Sequence, residues 1–291
     1  MKTILVPTDF SEYAGYASDF AAQLSRHTGA ELCFIHVVEI PSSPEAEYYL
    51  NHMLIQNMMT EAEEKLQLIS KKYKDINDVK TFVTTSNAIN GIKSGILSMQ
   101  ADLIVMGKHH HGGGISELLF DNNTEKIIRY ANCPVFSICE PVDFDVWKKA
   151  VVAIDPEACH SELLEDVRIL SDEMDIIPHF VWIAKNQATH SLENIDLLKD
   201  SLKSHFASRK FMFSSTVSTQ TDEGIIKFSK ELNADLIILS THARRGFNRL
   251  IHGSVTESVV EKANIPTLVV QLNPEIKGTG LSSEVPTNNL L

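Results

Sequence analysis

Residues 240–257, STHARRGFNRLIHGSVTE, gather three arginines and several small residues between an apolar run and the start of a helix. That mixture suits a phosphate group. A helix opening near Gly253-Ser254 offers free N–H groups and the positive end of its dipole to an anion. Small residues at 240, 243, 253 and 254 let backbone approach closely, and Arg244, Arg245 and Arg249 can neutralise phosphate charge. A purely structural reading competes with this one. Ser254-Val-Thr-Glu257 is also a capping box, as is Asn122-Asn-Thr-Glu125 with asparagine as the cap, and surface arginines more often simply face water. The run HHHGGG at 109–114 invites a metal, but adjacent side chains diverge and no cysteine or carboxylate stands beside it at ligand spacing; it reads as an exposed loop. No P-loop GxxxxGK[ST], base–nucleophile pair or carboxylate cluster for Mg²⁺ is evident.

An internal repeat defines the elements that must position these residues. ADLIVMG at 101 recurs as ADLIILS at 234, and NTEKIIRYANCPVFSI at 123 as VTESVVEKANIPTLVV at 255. KTILVPTD at 2 answers KAVVAIDP at 149, so Asp9 corresponds to Asp155. Residues 41–54 are an insertion confined to the first copy. Two homologous domains follow, 1–140 and 147–272, with a tail over 273–291 that lacks periodicity and is expected to be disordered. Within each copy, short apolar runs such as TILVPT, ELCFIHVV and DLIVMG alternate with segments of helical period. Ala14, Ala17, Ala21 and Leu24 share one face; so do Met59, Ala62, Leu66, Ile69 and Tyr73, and so do Leu163, Val167, Leu170 and Met174. This alternation predicts βαβ units, five strands and four helices per copy, and a parallel sheet covered on both faces. Ligands in such a sheet bind at the carboxyl ends of the strands where strand order reverses, which brings Asp155 at the end of strand 1 near Ser240 at the end of strand 4. Asp9 and Asp155 can equally cap the helices that follow, and His36 on strand 2 reads as a core histidine.

At these positions the chain resembles the universal stress protein family, as a tandem member. That family marks its nucleotide-binding members by a glycine, two residues, a second glycine, nine residues, then Gly-Ser or Gly-Thr. Here Ser240 and Ala243 stand at the two glycines, and residues 244–252 precede Gly253-Ser254. The opening VPTDFSE and the HVV at 36–38 are similar to the family's first two strand ends, and the resemblance spans residues 2–272. It implies two tandem doubly wound five-stranded parallel sheets of Rossmann-like order 3-2-1-4-5. Family pairing through last strands further implies an internal pseudo-dimer, with 134–139 beside 266–271. The implied ligand is ATP, its adenine near Val181 at the end of strand 2 and its ribose near Asp155. Its phosphates would meet backbone at Ala243, Gly253 and Ser254, with the Ser254 hydroxyl donating; Ser240, His242, Arg244 and Val255 complete the set. The first copy departs further from the pattern. Gly107 is kept, but His110 takes the second glycine's place, and Asp121-Asn122 stands where Gly253-Ser254 does, after a loop one residue longer. A carboxylate there repels phosphate, so the first copy reads as a degenerate site.

The formal net charge of −12 and the pI near 5.4 argue against nucleic-acid and anionic-membrane partners. The longest apolar runs are too short to cross a bilayer, and Pro7 and Asp9 break the N-terminal apolar stretch, so no signal peptide is expected. Four cysteines without metal-ligand spacing read as reduced thiols of a cytoplasmic protein. The expected function is a stress-response regulatory protein holding ATP in its second domain without efficient turnover. A nucleotide-free interaction scaffold is one alternative, and an enzyme hydrolysing ATP or transferring its phosphoryl or adenylyl group is another. Homo-oligomerisation beyond the pseudo-dimer is left open by the sequence.

Overall fold

The structure, a computed structural model, describes residues 1–39, 52–76, 78–109, 123–156, 161–186, 192–207, 209–242 and 253–272. Strand β1 (Thr3–Pro7) is an apolar run buried along its whole length. Helix α1 (Glu12–Thr28) starts because Ser11, in extended backbone, accepts the Ala14 N–H on its hydroxyl, and stops at Gly29, whose φ of 71° suits glycine. Asp9 is therefore not the cap expected of it; its carboxylate accepts the Ser11 N–H (2.9 Å) one step earlier and shapes the approach to the helix. The expected helix face is buried: Ala14, Ala17, Ala21 and Leu24 are each 4% exposed or less.

The remaining elements alternate as the sequence requires: β2 (Glu31–Glu39), α2 (His52–Lys72), β3 (Val79–Ser86), α3 (Ala88–Ser98), β4 (Leu103–Gly107), α4 (Asn123–Tyr130) and β5 (Val135–Ile138). The second half follows with β6 (Lys149–Ala153), α5 (Ser161–Met174), β7 (Ile177–Ala184), α6 (Leu192–His205), β8 (Met212–Val217), α7 (Thr221–Leu232), β9 (Leu236–His242), α8 (Gly253–Lys262) and β10 (Thr267–Leu272). Helices α1, α2, α5 and α6 bury their apolar faces on one side of the sheet, and α3, α4, α7 and α8 on the other.

Strand order is β3-β2-β1-β4-β5-β10-β9-β6-β7-β8. Each half keeps the order 3-2-1-4-5, and pairing within each half is parallel. The expectation of two separate five-stranded sheets is corrected here: β5 and β10 pair antiparallel, Val135 with Val269, Phe136 with Leu268 and Ser137 with Thr267, making one ten-stranded sheet. The cause is plain. Each half leaves its last strand as an edge with unpaired backbone groups, and the two edges satisfy one another. The pseudo-two-fold axis passes between Phe136 and Leu268, so 134–139 lies beside 266–271 as the family resemblance implied.

The segment between the halves is part of the core. Phe144 and Trp147 are 3% and 4% exposed and pack with Phe20 on α1. Burying an aromatic ring of this size contributes about 1.5–3 kcal/mol, which fixes the connection as firmly as a helix. Gly15 on α1 shows the opposite situation, since an added Cβ would meet nothing within 4 Å. Gly15→Ala is therefore expected to stabilise the fold by about 0.5–1 kcal/mol through helix propensity. Thermal unfolding checks this, and a lowered midpoint would show that the space beside Gly15 is needed.

Candidate functional site

Strand order reverses once in each half, at the carboxyl ends of β1 and β4 and of β6 and β9, the points where ligands bind in open parallel sheets. In the first half the Thr8 N–H donates to the Ile35 carbonyl (2.9 Å), tying the end of β1 to β2. Thr8 Oγ1 accepts the Phe10 N–H (3.1 Å), and Phe10 takes a φ of 64°, uncommon for a bulky residue. His36 stabilises this turn by lying 2.8 Å from the Thr8 carbonyl through Nδ1 and stacking on the Phe10 ring at 4.5 Å. It tethers a loop. A crevice there, ≈ 120 Å³, is lined by Asp9, Val37, Gly107, His109 and Thr124 among others. The His109 ring leans on Tyr13 at 4.3 Å, while its Nε2 is buried with no hydrogen bond among the described residues.

Gly107, read from the sequence as a remnant of the phosphate motif, has a packing role. A Cβ there would lie 2.5 Å from the Tyr13 carbonyl carbon and oxygen and 2.6 Å from the Ala14 nitrogen. Helix α1 crosses β4 this closely only over glycine. His110, the rest of the 109–114 run beyond His109, Asp121 and Asn122 lie outside the described residues, so the carboxylate expected at the start of α4 does too.

In the second half the Ile154 N–H donates to the Val181 carbonyl (3.0 Å), the counterpart of Thr8 and Ile35. Asp155 follows, half-buried, at the site of Asp9. Val181 itself is not at a strand end: β7 continues to Ala184, and the Val181 side chain is 0% exposed inside the sheet. The counterpart of Val37, which lines the first-half crevice, is Ile183, which the sequence reading missed. A Cβ on Gly224 would meet Ile183 Cγ2 at 2.8 Å just as one on Gly91 would meet Val37 Cγ2 at 2.6 Å. The matching Gly-Ile pairs at 91–92 and 224–225 were the available signal.

Ser240 occupies the register of Gly107 in β9, and its carbonyl accepts from Thr256 Oγ1 (3.2 Å), which joins the first turn of α8 to the end of the strand. His242 closes β9, its backbone paired with Leu272. Ala243, Arg244, Arg245 and Arg249 lie outside the described residues. Gly253 and Ser254 are already helical, and Val255 is half-buried in the same turn. The structure thus brings Asp155, Ser240 and the start of α8 to neighbouring strand ends. The capping-box reading of 254–257 is corrected on two counts. The helix starts one residue before Ser254, and Glu257 is engaged elsewhere, accepting from Arg129 on α4 at 2.7 and 3.0 Å.

That ion pair links the two halves across the pseudo-two-fold, and others do the same. Lys108, 8% exposed, donates Nζ to the Ala263 carbonyl (2.6 Å) at the end of α8, and Gln271 Nε2 donates to the Ile128 carbonyl (2.8 Å) on α4. None was readable from sequence, because each joins residues more than a hundred positions apart. Among the described residues no group of three His, Cys, Asp or Glu side chains is placed to hold a metal. Burial pushes the Cys33 and Cys133 thiols up to about 12, so neither supplies a thiolate nucleophile at neutral pH. No described helix is long and apolar enough to cross a membrane.

Comparison with known proteins agrees with this architecture. The chain is 24% identical over 290 residues to the universal stress protein Slr1230 of Synechocystis sp., covering 92% of this chain and 99% of that one. It is 27% identical over 146 residues to the universal stress protein MJ0531 of Methanocaldococcus jannaschii, covering 48% of this chain and 83% of the relative. A solved universal stress protein from Archaeoglobus fulgidus DSM 4304 superposes with a TM-score of 0.72 at 17% identity, covering 92% of this chain and 98% of the other, a likeness of fold. The model of the universal stress protein family matches residues 1–138 and 187–271, and the chain, two such units in tandem, belongs to that family.

Proposed function

We propose that the protein is a stress-response regulator that binds an adenine nucleotide, ATP, in its second half without efficient turnover. The observation that supports this best is the Thr256–Ser240 hydrogen bond, which holds the start of α8 against the end of β9 and beside the end of β6. Free N–H groups at Gly253 and Ser254 then face the point where strand order reverses. The phosphates take these N–H groups together with Ala243, with Arg244, Arg245 and Arg249 offsetting their charge. Ribose sits at Asp155. Adenine lies at the end of β7 beside Ile183, with Val181 two residues back on the same face of the strand. Binding without turnover follows from the sequence, which offers no P-loop and no base–nucleophile pair. Reduced, buried cysteines fit a cytoplasmic setting.

The first half is the poorer candidate. Its sequence carries His110 and Asp121-Asn122 where the second half has Ala243 and Gly253-Ser254, and a carboxylate there repels phosphate. The test is calorimetric titration of ATP into purified protein, with chromatography of any nucleotide released on denaturation and a steady-state assay for hydrolysis. One equivalent per chain with no turnover is expected. Steady hydrolysis would favour the enzyme reading, and absence of any binding would favour a scaffold.

A further inference from the structure

The two-fold relation between the halves holds residue by residue. Lys2 and Thr3 donate backbone N–H groups to Asp102 Oδ2 (2.6 and 3.0 Å), as Lys148 and Lys149 do to Asp235 Oδ2 (2.8 and 2.9 Å). With β1 matched to β6 in this way, Phe20, Gln23 and His27 on α1 correspond to Asp166, Ile169 and Glu173 on α5. The chain leaving β5 covers the first set. Gln23 donates Nε2 to the Val142 carbonyl (2.7 Å) and accepts the Phe144 N–H (3.3 Å), and the Phe144 ring meets Phe20 at 6.3 Å and His27 at 5.5 Å. On α5 the corresponding place is a cavity of ≈ 290 Å³ that extends to Leu24 and His27 on α1, its lining mostly apolar, as at Leu170, Leu268 and Val270, with Asp166 and Glu173 also on it. Ile169 lines it and is 42% exposed.

We propose that the chain leaving β10 fills this cavity, residues 273–277 running over α5 with Ile276 in the place that Phe144 takes over α1. Three observations point to this occupant. The segment starts at the right point, since Glu140 and Leu272 are equivalent in the repeat and Phe144 and Ile276 each follow four residues later. The sequence matches in kind: Val142-Asp-Phe144 against Pro274-Glu-Ile276, an acid between two apolar residues. The hold at the central position also changes on both sides, while Phe20 and His27 give way to Asp166 and Glu173. Gln23, which bonds the first segment's backbone, is replaced by Ile169, which has only apolar surface to offer, and the aromatic ring by an aliphatic side chain that fits it. An apolar cavity open to water is a standing cost that the chain's own continuation removes at little loss of entropy, because β10 already fixes its start.

The test compares Ile276→Asp with Leu281→Asp in the full chain, by thermal unfolding and by native-state binding of an apolar fluorescent dye. Ile276→Asp is expected to lower the unfolding midpoint by about 2–4 °C and to raise dye fluorescence several-fold, while Leu281→Asp matches wild type in both. Hydrogen exchange should show the amides of 275–277 protected relative to those of 282–291. Three results would each overturn the proposal. Ile276→Asp and wild type could be indistinguishable by dye and by midpoint. The wild-type cavity could take up the dye freely, which marks a pocket for small apolar molecules. Or sedimentation could show a dimer that Ile169→Asp dissociates, which gives the cavity to a second copy.

Discussion

Gly107→Ala is expected to destabilise the protein by about 1–3 kcal/mol, and more if α1 fails to shift, although the change adds one methyl group. The new Cβ would stand 2.5 Å from the Tyr13 carbonyl and 2.6 Å from the Ala14 nitrogen, so it strikes backbone and no side-chain rotation relieves it. Helix α1 cannot simply lift away. Ser11 caps it, and Ala17, Phe20 and Ala21, all 0% exposed, hold its inner face on the sheet. Strand β4 is no freer, being paired to β1 on one side and β5 on the other. The control is Ser240→Ala. Position 240 has the same register in β9 but already carries a side chain, so this variant should stay within about 0.5 kcal/mol of wild type. Urea unfolding of both proteins is the measurement. A Gly107→Ala protein as stable as the parent would mean that α1 does not cross β4 this closely.

The same glycine shows where sequence reasoning could and could not reach. The repeat, the strand positions and the buried helix faces were legible because they are written in local period and in direct recurrence, as at 101 and 234. The pairing of β5 with β10 was implied by the family resemblance alone; that it closes a single sheet depends on register, and register is not a local property. Gly107 reads as a remnant of a phosphate motif because its position fits the spacing, whereas its neighbour in space is a helix whose closeness no spacing reveals. The family resemblance put Val181 at a strand end, whereas the run from Phe180 continues with no stop before Lys185 and the strand ends at Ala184. The capping box at 254–257 competes with a phosphate role for Ser254 because Ser-x-x-Glu fits the pattern, but Arg129, on another helix of the other half, claims the glutamate. Lys108 is the extreme case. A buried lysine donating to the end of a helix in the opposite half leaves no trace in its own flanking residues.

Gly253→Asp is expected to abolish nucleotide binding while leaving the fold intact. Gly253 is the first residue of α8, where the N–H groups are unsatisfied by the helix itself. A phosphate accepted there would face the new carboxylate at about 4 Å, and two unit charges at that distance repel by about 4 kcal/mol at the effective dielectric of a protein surface. That corresponds to roughly a thousandfold loss of affinity. Stability should move the other way if at all. An acidic residue in the first turn interacts favourably with the helix dipole, by about 0.3–1 kcal/mol, and glycine is a poor helix former. The combination of lost binding with an unchanged or raised unfolding midpoint separates loss of a site from loss of structure. Asp121→Gly with Asn122→Ser, the reverse exchange in the first half, should restore little, because His110 and the longer loop remain. Asp9→Ala completes the set, since it alters the ribose position of the first crevice and leaves Asp155 untouched. If calorimetric titration of ATP gives wild-type affinity for Gly253→Asp and none for Asp9→Ala, the nucleotide belongs to the first half, and the crevice beside Gly107 would have to open around it by displacing His109 from Tyr13.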